Sequence, residues 1–237
     1  MLWACILLPS LALDTALRGR ESSDRPFALV TGSAQQRRLI AVDAHARAAG
    51  LAPGQRLAEA EAVCRNLLTA EYDPDCTRAS LALIAAWAYR YSSEVLVDPP
   101  RAVILEVERS FGLFGAWSAI EARLRGELDA LGFRHRIALA PTPRAARVLA
   151  RTRDGTTVAS RDDLPRALAP IPIARAGLPA EAAATLAGMG IRTLGAVLAL
   201  PRAALQRRFG KALVEAIELL LGSRPDTLAA YRPPDRF

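Results

Sequence analysis

The sequence predicts an α+β protein: a ferredoxin-like core with a small inserted unit, followed by an all-helical region that carries a helix-hairpin-helix unit. Three observations predict it. Short apolar runs alternate with segments of helical period through the first 150 residues, the order expected of strands connected by helices about 15 residues long. The repeated strand–helix–strand order fits a split βαβ core with helices on one face of the sheet. From Leu178 onward only helical period remains, and Gly188 and Gly190 punctuate it.

The elements follow in order. Trp3 to Leu8 is an apolar strand ended by Pro9, and Leu11 to Arg20 a short helix before a charged loop reaching Pro26. Phe27 to Thr31 and Arg38 to Val42 are strands. Asp43 caps a helix through His45 to Ala49 that Gly50 stops. After the turn at Leu51 to Gly54, Leu57 to Cys64 is a second short helix. Asp73 to Tyr91 is helical, with Leu81, Ile84, Ala85 and Ala88 on one face, and Glu94 to Val97 is a strand.

Ala102 to Val107, between Pro99-Pro100 and the glycines 112 and 115, reads as a central strand ending in a turn. Ala116 to Leu131 is an amphipathic helix marked by Ile120, Leu124 and Leu128. Arg136 to Ala140 is a strand, Thr142 to Arg151 a helix, and Thr156 to Ser160 a short edge strand. Arg161 to Pro172 is a proline-containing connector. Four helices follow: Ala180 to Ala187, Leu194 to Leu200, Arg202 to Phe209 and Lys211 to Leu221.

Composition narrows the function. The 237 residues carry 31 Lys and Arg against 24 Asp and Glu, a net charge of +7, and Lys211 is the only lysine. A net positive chain favours a polyanionic partner. Cys5, Cys64 and Cys76 lack metal-ligand spacing and read as reduced thiols of a cytoplasmic protein. The apolar start lacks a basic leader and is broken by Pro9, so it reads as a core strand rather than a signal peptide. No stretch reaches the ~18 apolar residues of a membrane helix, so no membrane is expected.

Two stretches bear on chemistry. In Leu186 to Leu200 a helix ends at Gly188, a turn runs through Gly190 and Ile191, and a second helix starts near Thr193. The glycines let the turn approach a phosphate with its amides pointing outward, and Ile191 plugs the turn into the core. Arg192, Arg207, Arg208 and Lys211 add sequence-independent phosphate contacts. The other reading is an ordinary helical hairpin with glycine caps. Glu106 and Glu108 would share a strand face, as a metal-binding pair or a solvated one. His45 and His135 have no nucleophile elbow beside them, and no Walker-type loop is present.

The order of these motifs resembles the Y-family translesion DNA polymerases over nearly the whole chain. Leu39 to Cys64 resembles the family's fingers signature through Ala46-Arg47 and Gly50 to Gly54. Arg136 to Arg151 resembles its palm segment, and the hairpin with Leu200 to Gly210 resembles its thumb. The resemblance implies palm at residues 1–16 and 72–154, fingers at 17–71 and a helical thumb at 155–230. Residues 231–237 would begin a linker to a little finger beyond Phe237.

Departures from the family pattern carry the functional expectation. Active members hold metal with an Asp on the first strand, where this sequence has no acid from Leu7 to Ser10; Leu8 marks the position. They also carry an Asp-Glu pair that falls on Arg101 and Ala102. The nucleotide-contacting Tyr of the fingers falls on Ala44. Arg47 is kept, and the lysine that approaches the triphosphate is absent with Arg153 its nearest candidate, so the resemblance implies both as vestigial nucleotide contacts. These departures, with the LFG in Arg109 to Gly115, are similar to the ImuB-type subfamily.

That resemblance implies a non-catalytic DNA-binding accessory of a translesion mutasome, without metal or cofactor, cytoplasmic and nucleoid-associated. Its partners would be primer-template DNA, an ImuA-type protein, an error-prone C-family polymerase and the sliding clamp, whose binding motif would lie outside this chain. The alternatives are an active polymerase using Asp14, Glu106 and Glu108 as displaced ligands, and a hub that binds only protein.

Overall fold

β1 (Trp3–Leu7) is apolar at all five positions, and a strand of that kind must be covered on both faces. The computed structural model, which describes residues 1–18, 20, 23–226 and 230–233, places it at the centre of a sheet. α1 (Leu11–Leu17) follows β1. β2 (Phe27–Thr31), β3 (Arg38–Val42), α2 (Ala44–Ala48), α3 (Leu57–Val63) and β4 (Leu68–Glu71) form a separate unit. Its three-stranded sheet has the order β3-β2-β4, β3 antiparallel and β4 parallel to β2. Asp43 caps α2 as expected, accepting from the Ala46 amide at 2.7 Å. β4 is an addition to the expected elements: its four residues alternate between apolar and polar, but so short a run is easily passed over in sequence.

α4 (Pro74–Ala88), β5 (Val95–Asp98), β6 (Ala102–Glu106), α5 (Phe111–Phe114), α6 (Trp117–Ala130), β7 (Arg136–Ala140), α7 (Pro143–Thr152) and β8 (Thr156–Thr157) complete the core. The five-stranded sheet runs β5-β6-β1-β7-β8. β1 is antiparallel to both neighbours, with Trp3 opposite Glu106 and Leu7 opposite Ala102 on the β6 side. The central strand is therefore β1, and β6 lies beside it. β6 also ends at Glu106, where a 3-10 turn over Glu108–Ser110 and then α5 take over.

The expectation of helices on one face is corrected. Ala4, Ile6 and Leu8 face a core with Ile84 of α4 and Ile120, Leu124 and Leu128 of α6. Cys5 and Leu7 face the opposite core, with Ala145, Ala146 and Leu149 of α7. Because side chains alternate along a strand, an all-apolar β1 fills both.

The C-terminal helices are α8 (Leu164–Leu168), α9 (Ala180–Gly188), α10 (Leu194–Leu198), α11 (Arg202–Phe209) and α12 (Lys211–Leu221). Leu186, Leu194, Leu205, Leu213 and Leu220 join the α7-side core rather than forming one of their own. Thr142 ties the two together: its side chain caps α7 through the Ala145 amide and donates to the Leu220 carbonyl at 2.9 Å. Among the described residues no helix is long and apolar enough to cross a membrane.

Candidate functional site

The strand register decides which residues meet. Leu7 pairs with Ala102, and the Leu8 amide donates to the Arg101 carbonyl at 2.9 Å. The positions singled out from sequence on two distant strands thus stand side by side. Alternation then separates Leu7 from Leu8. Leu7 lines a cleft of about 180 Å³ at this end of the sheet, whereas Leu8 turns into the α6-side core. The strand residue that lines the cleft is Leu7, while Leu8, the position marked from sequence, lies one residue on and bonds to Arg101 through its amide.

Ala102, Asp98, Arg101, Arg147 and Arg151 share the cleft. Asp98 ends β5 opposite Ala102 and accepts from Arg147 Nη1 at 2.6 Å. Sequence reasoning missed Asp98, Arg147 and Arg151. The signal was there for the arginines, since a spacing of four on α7 puts them on one helix face. Cys5 lies on the Leu7 side of β1. Burial, and then the Asp98 charge, push its thiol far above the ordinary range against the pull of Arg147, so it is no nucleophile.

This donor set does not fit a divalent metal. Its one carboxylate already serves a guanidinium, and the other cleft groups are cationic or apolar. Among the described residues, no group of three or more His, Cys, Asp or Glu side chains could hold an ion.

The displaced-ligand alternative requires Asp14, Glu106 and Glu108 to converge, and they do not. Glu106 lies opposite Trp3, four residues along β1 from Leu7, or about 13 Å at the strand rise. It is buried and accepts from the Glu108 and Arg109 amides at 3.1 and 3.4 Å. Glu108 pairs with the N-terminal amine. The two do not share a strand face, because the strand ends between them. Asp14 is buried in α1 and accepts from Arg134 Nε at 2.7 Å, lining a different cavity. Burial raises its pKa against the pull of Arg134.

Neither expected nucleotide contact lines the cleft at Leu7 and Ala102. Arg47 is exposed on α2 and donates to the Val42 carbonyl at 3.3 Å. Arg153 is exposed just after α7, its amide donating to the Leu149 carbonyl at 2.8 Å.

In the hairpin, α9 ends at Gly188, Gly190 takes φ +82°, and Thr193 caps α10. Ile191 is half-buried against the core, as expected. The outward-pointing amides are corrected. Those of Met189, Gly190 and Ile191 donate to Thr185, Ala187 and Leu186 at 3.0–3.1 Å, because the left-handed glycine folds the turn back onto the end of α9. Arg192, Arg207, Arg208 and Lys211 are exposed. Arg207, Arg208 and Lys211 gather at the α11–α12 corner, where Lys211 pairs with Glu215 at 3.3 Å.

The impB/mucB/samB family model matches residues 14–151, more than half of the chain. The protein is similar to Protein ImuB of Caulobacter vibrioides, in two strains, at 36% identity over 184 residues, which is 78% of this chain and 40% of that protein. It therefore spans well under half the length of those curated relatives. Among solved structures, DinB from Sulfolobus solfataricus matches 97% of this chain and 70% of its own at a TM-score of 0.71 and 16% identity. The insertion ternary complex of Dbh DNA polymerase matches 96% and 69% at 0.73 and 15% identity. At such identities the likeness is one of fold. The chain belongs to the impB/mucB/samB family and has the fold of the Y-family DNA polymerases.

Proposed function

We propose that this chain is the polymerase-shaped core of a translesion-synthesis accessory protein, which holds DNA and does not transfer nucleotides. The observation that carries the reading is the meeting of Leu7, Arg101 and Ala102 at one end of the sheet. Metal-dependent nucleotidyl transfer needs carboxylates converging on shared ions; here an apolar side chain, a methyl group and a guanidinium stand together. The likeness to ImuB supports the accessory role.

In this reading the five-stranded sheet of residues 1–16 and 72–154 is the palm. Residues 17–71, with the three-stranded sheet, are the fingers, and 155–230 the thumb. Residues 231–237 lead toward a little finger, although 234–237 lie outside the described residues. The exposed Arg192, Arg207 and Arg208, with Lys211, contact backbone phosphates of primer-template DNA, and the turn of Gly188, Gly190 and Ile191 sets the two hairpin helices without offering its own amides. Arg47 and Arg153 are relics of nucleotide binding. An ImuA-type protein, an error-prone C-family polymerase and the sliding clamp are the partners, in the cytoplasm at the nucleoid.

Two measurements test the reading. Primer extension with Mg²⁺ or Mn²⁺ is expected to give no product that tracks the protein through purification; product that does so overturns the non-catalytic role. Replacing Arg192, Arg207 and Arg208 together by Ala is expected to weaken DNA binding at least tenfold. It should also reduce the salt slope by about one per lost phosphate contact. Unchanged affinity and slope would remove the thumb from the interface.

A further inference from the structure

The cleft at Leu7 and Ala102 carries an excess of positive charge. Three guanidiniums, Arg101, Arg147 and Arg151, face one carboxylate, Asp98, in a space of about 180 Å³. Asp98 fixes Arg147 in place at 2.6 Å, and the two are equally half-buried. That pair leaves the Arg147 Nε buried without a hydrogen-bond partner among the described residues, an arrangement that normally costs energy. Arg151 stands one helical turn further along α7, and Arg101 is exposed at the mouth. No ion pair among the described residues uses either of them.

We infer that this cleft binds a phosphate group directly, without a divalent ion, the guanidiniums standing where metals would otherwise neutralise the anion. Guanidinium forks match the oxygens of a phosphate and hold their charge at every physiological pH. A carboxylate-poor, doubly positive pocket repels a metal cation but attracts an anion. The phosphate is either that of a nucleotide or that of a DNA backbone. The inference does not depend on the helical region contacting DNA.

Calorimetry with inorganic tripolyphosphate in EDTA tests it. Saturable binding is expected, weakened at least tenfold by Arg101→Glu and by Arg151→Glu, both partly or fully exposed positions that the fold tolerates. The Arg207→Ala/Arg208→Ala variant should keep it, which separates this site from the proposed thumb contact. Competition identifies the source, and either result supports the cleft: displacement by dATP alone assigns a nucleotide, whereas displacement by a phosphodiester oligonucleotide assigns the DNA backbone. Absence of saturable binding in EDTA, or binding indifferent to both charge reversals, overturns the inference.

Discussion

Asp154, in the loop between α7 and β8, shows how one carboxylate can fasten three elements. Arg125 of α6 donates to both of its oxygens at 2.9 and 3.1 Å, and the Ile137 amide of β7 donates at 2.7 Å. Burial works to raise its pKa, but the Arg125 and Ile137 contacts outweigh it and hold the carboxyl below its ordinary value. A depressed folded pKa stabilises above the unfolded value, and that gain is lost as pH falls through the folded value. Asp154→Asn is therefore expected to cost about 1 kcal/mol at neutral pH, a modest figure because the pair is partly exposed. The deficit should close as pH drops below about 4. Urea unfolding at pH 7 and pH 3 reads it directly, and an equal deficit at both would mean the charge is not what matters.

Helix packing turns on glycines of two kinds. Gly195 in α10 lies against the residue that ends α8, its amide donating to the Ala169 carbonyl at 3.0 Å. An added Cβ would sit 2.9 Å from the Ala169 Cβ and 3.0 Å from that carbonyl oxygen. Gly190 has open space around it, but its φ of +82° strains any side chain. Gly195→Ala should cost about 1–3 kcal/mol through overpacking, and Gly190→Ala only about 1 kcal/mol through backbone strain. Chemical denaturation of the two variants ranks them, and the reverse order would mean that α10 can shift away from α8. The hairpin glycines 188 and 190 were legible in sequence because turn chemistry is local. The role of Gly195 was not, since its partner Ala169 comes from another element.

The whole molecule brings β1, β5, β6 and α7 to one cleft, and that convergence can be tested by placing carboxylates there. Leu7→Asp, Arg101→Asp and Ala102→Glu together put three carboxylates at the end of the sheet. Leu7 is 5% and Ala102 1% exposed, so without metal the variant should melt below the parent, through buried like charges. Mn²⁺ should then stabilise the variant, by about 2.7 kcal/mol at a hundred times its dissociation constant, and leave the parent unchanged. Thermal unfolding with and without Mn²⁺ measures it; no metal-dependent shift in the variant would show that the three positions do not share a centre.

Sequence by itself determined most helices and strands, though not β4, α5 or the α8 helix inside the segment read as a connector, together with the identity of the side chains at Leu7, Arg101 and Ala102. Period and capping are properties of neighbouring residues, so they are readable along the chain. The second covered face of the sheet, the choice of Leu7 over Leu8, the recruitment of Asp98, Arg147 and Arg151, and the separation of Glu106 from Asp14 came only with the tertiary structure. Strand register and the packing of α7 across the sheet set distances between residues far apart in sequence. Those distances, more than composition, give the cleft its charge.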